Sequence, residues 1–164
     1  MTLDVCALVR RDHDDLDRAL GAMVDPATPP KELANVLDVF RLALAVHTAT
    51  EAKVLDLLVE SDRCLGVIAT ATRIEHTTQR AAADALVAIR PASIGWYDCA
   101  LELRVLVLDH AARSEQLRWT IEDHVSYRVQ RQLAAEYATE RLRVLASTSP
   151  LVLARRRDAL LVAN

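Results

Sequence analysis

The chain has few residues that interrupt regular backbone structure. Only 3 of its 164 residues are glycine and 5 are proline. Because these residues mark turns and break helices, their scarcity favours a few long helices over many short strands. Aromatic residues make up 4% of the chain, whereas hydrophobic residues make up 52%. The predicted core is therefore built mainly from alanine, leucine and valine.

The sequence also lacks the segments typical of membrane or disulfide-rich proteins. No uninterrupted apolar run reaches the roughly 18 residues of a membrane span. The N-terminal segment MTLDVCALVRRDHDD carries charges too early for a signal peptide. The cysteines Cys6, Cys64 and Cys99 form no CxxC motif and are predicted to be small core residues. These absences predict a soluble, cytoplasmic protein without a membrane partner.

Two further absences exclude whole classes of function. The formal net charge of −3 argues against a general nucleic-acid-binding protein, which usually has a basic patch and a high pI. The sequence has no HExxH motif, no glycine-rich cofactor loop and no activated nucleophile. We therefore assign no catalytic residue, and the composition favours a protein that is not an enzyme.

Apolar periodicity and turn residues divide the chain into four long helices and an extension. The predicted spans are about 2–23, 30–60, 63–89 and 96–124, separated by proline-containing turns and by Ser61-Asp62. A helix over 127–146 and a short helix after Ser149-Pro150 follow. The predicted fold is all-α: an up-down-up-down four-helix bundle over residues 1–125, with a C-terminal helical extension over residues 126–164.

The second helix contains the first indication of a site. His47 and Glu51 lie one turn apart in the apolar run Leu42–Leu58, so both side chains lie on the same face of the helix. Burying an ionised carboxylate is costly unless a cation pairs with it. Either a cation meets this pair in the interior, or the pair lies at a solvated edge.

Each of the other three long helices carries one histidine at a matching distance from its turns. With about 1.5 Å of rise per residue, an antiparallel bundle brings these histidines and His47 to a similar depth. Glu51 supplies one carboxylate to this layer, and the fourth helix supplies a second, best Glu115. The predicted site residues are His13, His47, Glu51, His76, His110 and Glu115.

This set of donors is suited to a metal. Imidazoles and carboxylates without a thiolate suit iron or manganese, and also zinc or copper. Four imidazoles and two carboxylates exceed the needs of one tetrahedral zinc ion. They are a suitable number for two metals bridged by carboxylates, with one position open to a small ligand.

Four short motifs carry a family resemblance: DH at 12–13, HTATE at 47–51, EH at 75–76 and HAARSE at 110–115. In this order, one on each helix, they resemble the hemerythrin-like HHE cation-binding domain over residues 1–125. The resemblance implies a non-haem di-iron centre that binds O2, NO or peroxide for sensing, scavenging or iron handling. It also implies that the four histidines are terminal ligands and that Glu51 and Glu115 bridge the metals.

Two positions depart from the family pattern. No histidine lies four residues before or after His76, so the chain resembles the bacterial four-histidine type more than the oxygen carriers. Ser114 stands four residues after His110, where that type has a glutamate. Glu115 follows one residue later, some 140° from His110 around a regular helix. Ligation by Glu115 therefore needs a local bulge or a long reach.

The remaining polar residues near the motifs are predicted to lie outside the site. Glu75 precedes His76 and should point about 100° away from it, towards solvent. Asp12 and Asp109 are interpreted as surface charges rather than partners of an imidazole on a neighbouring helix. His124 is expected to be exposed or at the end of the bundle.

Three alternatives stay open. The chain can be a metal-free structural or dimerisation bundle of the same fold, which the Ser114 departure favours. It can also be a hydrolytic enzyme with one metal and an activated water. The apolar side of the C-terminal helices either packs back over the bundle or forms a homodimer interface.

Overall fold

The computed structural model describes the backbone of residues 4–162, and all its side chains except those at 116, 117, 120, 122–124 and 149–162. Within this part of the chain there are five α-helices, one 3-10 turn and no strand, which agrees with the predicted all-α class. None of the described helices has the length and apolarity needed to cross a membrane. The helices are α1 (Val5–Val24), α2 (Pro30–Ser61), α3 (Gly66–Leu86), α4 (Ile94–His124) and α5 (Tyr127–Val162).

Side chains at the helix ends explain where the helices begin. Asp4 is the N-cap of α1 and accepts a hydrogen bond from a first-turn amide. The helix therefore begins later than expected from Thr2, which lies outside the described residues. Pro30 occupies the first position of α2, as predicted. Ser93 caps α4 by accepting a hydrogen bond from the backbone N–H of Trp96.

Helices α1 to α4 form a closed ring in which α1 packs against α2 and α4, and α3 packs against the same two helices. Neighbouring helices run antiparallel, because contacts at one helix end join the opposite end of the neighbour. The contacts that fix these directions are Trp96 with Met23, Arg10 with Glu115, Arg41 with Asp84, Arg73 with Asp56, and Gln79 with Leu106.

Two apolar clusters fill the interior, one towards each end of the ring. The first includes Met23, Leu33 and Trp96, and the second includes Val5 and Leu55. Between these clusters, each of the four helices contributes one buried histidine. Because apolar side chains flank this layer on both sides, its polar groups lie in a low-dielectric environment where their interactions are strong.

Helix α5 lies along α1 and α2 and extends the second apolar cluster. Leu133, Ala134 and Tyr137 are buried against it. The apolar side predicted for this segment therefore packs back over the other helices in the part whose side chains are described. Leu142, further along the same helix, is 69% exposed.

Of the two helix breaks predicted near the C-terminus, the first is present and the second is not. The chain breaks at Val125-Ser126, between α4 and α5. No break follows at Ser149-Pro150, because α5 continues through these residues to Val162. The predicted exposure of His124 concerns a side chain outside the described set.

The cysteines do not all occupy the core. Cys6 is buried and Cys99 is half-buried, whereas Cys64 is exposed. The prediction of a core position is wrong for Cys64 because this residue lies in the 3-10 turn Arg63–Leu65 that joins α2 to α3.

Candidate metal centre

Four histidine rings and one carboxylate meet between the two apolar clusters. His13 comes from α1, His47 and Glu51 from α2, His76 from α3 and His110 from α4, and each is at most 8% exposed. The contacting rings have centroids 4.6–5.5 Å apart. The antiparallel register of the helices thus brings these five residues into one buried layer.

Glu51 lies at the centre of this layer. Its Oε2 atom is 2.9 Å from His76 Nε2, 3.0 Å from His110 Nε2 and 3.5 Å from His47 Nε2. Among the described residues, His13 Nε2 has no hydrogen-bond partner, although it is buried in the same layer. Buried polar atoms without partners are rare in folded proteins. Their presence here fits donor atoms arranged for a cation.

The spacing of the nitrogens also fits metal coordination. His110 Nε2 lies 3.3 Å from the Nε2 atoms of both His47 and His76. Two nitrogens that each lie about 2.1 Å from one ion at a tetrahedral angle are about 3.4 Å apart. In addition, His13, His47, Glu51 and His110 each offer a ligand atom within 4.8 Å of the other three.

Five of the six pairs formed by the four rings are in contact. His13 and His76 each contact His47 and His110, and no contact between His13 and His76 is present among the described rings. His76 lies outside the compact group of four ligands, yet it is close to Glu51. His76 therefore adds a further donor close to Glu51, outside the compact group.

Glu75 orients one of the rings from outside the layer. Its Oε2 atom is 2.8 Å from His110 Nδ1, and its Oε1 atom is 2.6 Å from Arg113 Nε. When Nδ1–H donates to this carboxylate, Nε2 is left with its lone pair towards the layer. The prediction that Glu75 is solvated is wrong, because the 100° rotation away from His76 turns it towards α4 rather than towards water.

The fourth helix supplies a hydroxyl where a second carboxylate was predicted. Ser114 Oγ donates to Glu51 Oε1 over 2.7 Å. Glu115 lies apart from the layer, because its carboxylate contacts Arg10 Nη2 at 3.0 Å and Arg118 Nε at 2.7 Å. Since α4 is a regular α-helix here, the rotation of about 140° from His110 directs Glu115 away from the other predicted ligands.

Asp12 was predicted to be a surface charge, and this prediction is wrong. The residue is buried and accepts hydrogen bonds from the Tyr137 hydroxyl and, at 2.5 Å, from Arg141 Nη1. Both donors come from α5, one turn apart. Tyr137 and Arg141 are four residues apart and therefore lie on one face of α5. This spacing is the feature of the sequence that could have indicated a shared partner on another helix. Asp109 is exposed, as predicted.

Burial keeps two of the imidazoles neutral. It lowers the pKa of His13 to about 4, and it lowers the pKa of His47 well below 6.5. Neutral imidazole is the form that binds metals, because its nitrogen lone pair is free. At neutral pH these two residues are therefore ready to act as ligands.

The charges of Glu51 and His110 are coupled. Burial by itself raises the pKa of Glu51, but the contacts with His110 and His76 outweigh it and hold this pKa well below the usual value. Burial likewise lowers the pKa of His110, but Glu51 and Glu75 outweigh it, and the pKa of His110 is raised. The layer therefore holds a carboxylate anion whose partner can be either a protonated His110 or a metal ion.

A small cavity of about 30 Å³ adjoins the layer between α1, α2 and α4. Its inner wall includes His13, Glu51 and Ser114, and its sides are mainly apolar. The ion pair of Arg10 with Glu115 lies at its outer end. One water molecule needs about 10–15 Å³ of such space, so the cavity accommodates molecules of two or three heavy atoms.

Comparison of the chain with known protein families, with curated proteins and with solved structures gives no match. The helical structure and its buried group of His13, His47, Glu51 and His110 are compatible with a hemerythrin-like metal site. This compatibility rests on the geometry of the residues themselves.

Proposed function

We propose that the chain is a metal-binding protein of the hemerythrin-like class, an up-down-up-down four-helix bundle with a C-terminal extension and a non-haem pair of iron ions. The observation that supports this most directly is the buried group in which His13, His47, Glu51 and His110 offer ligand atoms within 4.8 Å of one another. An ionised carboxylate in such a position is costly unless a cation balances it.

The proposed ligands are the four histidines of the layer and Glu51, which would bridge the two ions. The donor set also suits manganese or zinc. Glu115 remains a predicted second bridging ligand, and to act as one it would have to leave its ion pairs with Arg10 and Arg118. Bound iron would supply the ligand-binding and redox chemistry. The chain would exclude bulk water, keep the imidazoles neutral and orient His110 through Glu75.

The proposed small ligand is O2, NO or peroxide, and the role is sensing, scavenging or iron handling. The cavity beside His13 supports this proposal because its volume of about 30 Å³ suits molecules of this size. Its side walls include Val9, Val54 and Leu55, which favour a small, weakly solvated ligand over a charged metabolite.

A second candidate is a metal-free structural module on the same helices. The observation that favours it is the hydrogen bond from Ser114 to Glu51, together with the close approach of His76 and His110 to the same carboxylate. These contacts give Glu51 partners without a metal. In this case the layer is a buried polar network that helps to specify how the helices pair.

Metal content and an optical spectrum, measured before and after exposure to O2 or NO, test the proposal. We expect about two iron ions per chain in protein from iron-replete cells, and a visible absorption band that changes with the gas. His47→Ala should remove both. Leu44→Ala, a buried apolar change one turn away on α2, should destabilise the protein by about 2–5 kcal/mol and keep the band.

The outcomes separate the candidates. One zinc ion per chain would favour the single-metal hydrolytic alternative, for which the layer has enough histidines. If the purified protein contains no iron, manganese or zinc and its thermal stability does not change in chelator, the metal-free structural module is the remaining candidate. A band that persists in His47→Ala would contradict the assignment of the layer as the metal site.

A further inference from the structure

The small cavity beside the histidine layer leads from the interior to the protein surface. At its inner end, His13 and Glu51 are 8% and 3% exposed. At its outer end, Arg10 and Glu115 have 51% and 42% of their side-chain surfaces exposed. This order of exposure makes the cavity a short route from solvent to the donor atoms of the layer.

An ion pair between two helices closes the outer end of this route. Arg10 Nη2 of α1 lies 3.0 Å from Glu115 Oε1 of α4, and Arg118 Nε, one turn further along α4, lies 2.7 Å from the same oxygen. Only Arg10 reaches across from α1, so movement of this one side chain would open the contact. An exposed ion pair contributes little to stability, and the contact can therefore open at little cost.

Other parts of the chain cover the layer on two of its remaining sides. Between α3 and α4, Glu75 lies 2.8 Å from His110 Nδ1 and is itself paired with Arg113. Between α1 and α2, helix α5 packs over the seam and buries Tyr137 there. The cavity lies along the seam between α1 and α4, which therefore offers a way into the layer that these two sides do not.

We propose that Arg10 and Glu115 form a gate, which controls how fast a small neutral molecule such as O2, NO or hydrogen peroxide enters the cavity and reaches the layer. The role in ligand binding rests on the metal centre proposed above, whereas the opening of the cavity does not. Behind the gate, the apolar side chains of Val9, Val54 and Leu55 favour neutral molecules, because a charged one would lose its hydration.

A gate changes rates without changing affinity. The ligand passes the same opening in both directions, so easier opening raises the association and dissociation rates by the same factor and leaves Kd unchanged. The rates should also depend on salt, because the Debye length falls from about 30 Å at 0.01 M to about 3 Å at 1 M ionic strength. We expect the wild-type rates to rise about two- to fivefold over this range as the exposed pair is screened.

The first test measures entry into the cavity of the metal-free full chain. Val54 lines the cavity and is 3% exposed, so a thiol introduced by Val54→Cys reports on access. The background carries Cys6→Ala, Cys64→Ser and Cys99→Ala. Iodoacetamide is neutral and too large for the closed cavity, so it reacts when the gate is open. Arg10→Ala should raise its rate about five- to tenfold, because the ion pair and the side chain at the mouth are both removed.

Two variants control this measurement. Arg10→Lys keeps the positive charge and should react like the wild type. Arg73→Ala breaks the ion pair of Arg73 with Asp56, which joins α3 to α2 at similar exposure and lies outside the cavity lining, and it should leave the rate unchanged. The salt dependence should disappear in Arg10→Ala. Urea denaturation of each variant shows whether a faster reaction arises from the gate or from global unfolding.

The second test measures NO binding to the iron-loaded chain by stopped-flow absorption, with the native cysteines and Val54 in place. Arg10→Ala should raise the association and dissociation rates by the same factor, about five- to tenfold, and leave Kd and the iron content unchanged. Arg73→Ala should again behave like the wild type.

The two tests separate the gate from the metal centre. If Arg10→Ala speeds the thiol reaction but the chain binds no metal, the gate is supported and the proposed function fails. If iron binds and neither rate responds to Arg10→Ala, the gate is overturned and the metal centre is unaffected. A change in Kd at a constant association rate would make Arg10 part of the binding site, and this too would overturn the gate.

Discussion

Glu75 and His76 are neighbours in sequence and serve different parts of the same site. His76 Nε2 approaches Glu51 within the layer, whereas Glu75 holds His110 from outside at 2.8 Å. Consecutive residues of a helix point about 100° apart, so His76 can face the layer while Glu75 faces the neighbouring helix α4. The charge of Glu75 is in turn stabilised by Arg113.

Glu75→Gln should lower metal affinity about 10- to 100-fold, because the ring of His110 loses the carboxylate that fixes its tautomer and raises its basicity. Glu75→Ala should lower it further. Competition with a chelator of known affinity measures the effect. Glu60→Gln, an exposed change on α2, is the control.

This prediction separates an orienting role from a purely structural one. The unfolding midpoint of the metal-free protein should differ little between Glu75→Gln and the wild type, since the side chain is partly exposed. Equal metal affinities for the wild type and Glu75→Ala would rule out the orienting role.

Individual residues also show which parts of the site could be predicted from the sequence. The four histidines were predictable because each helix places one of them at a regular distance from its turns. Glu75, Asp12 and Ser114 were not, because their roles depend on which atom of a neighbouring helix lies opposite. Helical periodicity gives the direction of a side chain, and the partner it meets follows only from the packing of two helices.

At the scale of elements, α5 is held to the ring by a polar contact as well as by apolar burial. Tyr137 is buried, and its hydroxyl donates to Asp12 of α1, which also pairs with Arg141. Asp12 directly precedes His13 in α1, so the position of α5 is linked to the edge of the histidine layer. Apolar periodicity predicted a helix in this region, but it could not distinguish packing against α1 and α2 from pairing with another chain.

Tyr137→Phe should lower the free energy of unfolding by about 1–2 kcal/mol at pH 7, because Asp12 loses one of its two donors. Urea denaturation measures the change. Tyr127→Phe, at an exposed position on the same helix, should have little effect.

The difference between Tyr137→Phe and the wild type should shrink at alkaline pH. Burial first, and then the charge of Asp12, raise the pKa of Tyr137 above its usual 10. Below pH 10 the phenol of Tyr137 is neutral in both the folded and the unfolded chain, so its contribution to stability is fully present. Above pH 10 the unfolded chain loses the proton first, and the wild type loses about 1.4 kcal/mol per pH unit at this site. A difference that stays constant from pH 7 to pH 11 would contradict this assignment.

At the scale of the whole molecule, the polar layer interrupts a core that is otherwise apolar at both ends. The layer includes a carboxylate and four imidazoles at most 8% exposed, a combination that contributes little to stability unless every group is paired. A metal bound in this layer would therefore stabilise the fold as a whole, because it would bind the folded chain and have no preformed site in the unfolded one.

Removal of metal should lower the free energy of unfolding by about 2.7 kcal/mol relative to protein in free metal at 100 times Kd. For a chain of this length the melting temperature should fall by about 5–11 °C. Differential scanning calorimetry with and without chelator measures both quantities.

Glu51→Gln supplies the sharpest comparison, because it removes the central charge and keeps the shape. With metal present, this variant should be less stable than the wild type, since it loses the carboxylate that is proposed as a metal ligand. Without metal, Glu51→Gln should lower stability by less than it does with metal, because only the contacts of the carboxylate with His76, His110 and Ser114 are weakened. Stability that falls equally with and without metal would instead mean that Glu51 serves the fold alone. The effect of metal on this one substitution thus decides whether the layer is a metal centre or a structural polar network.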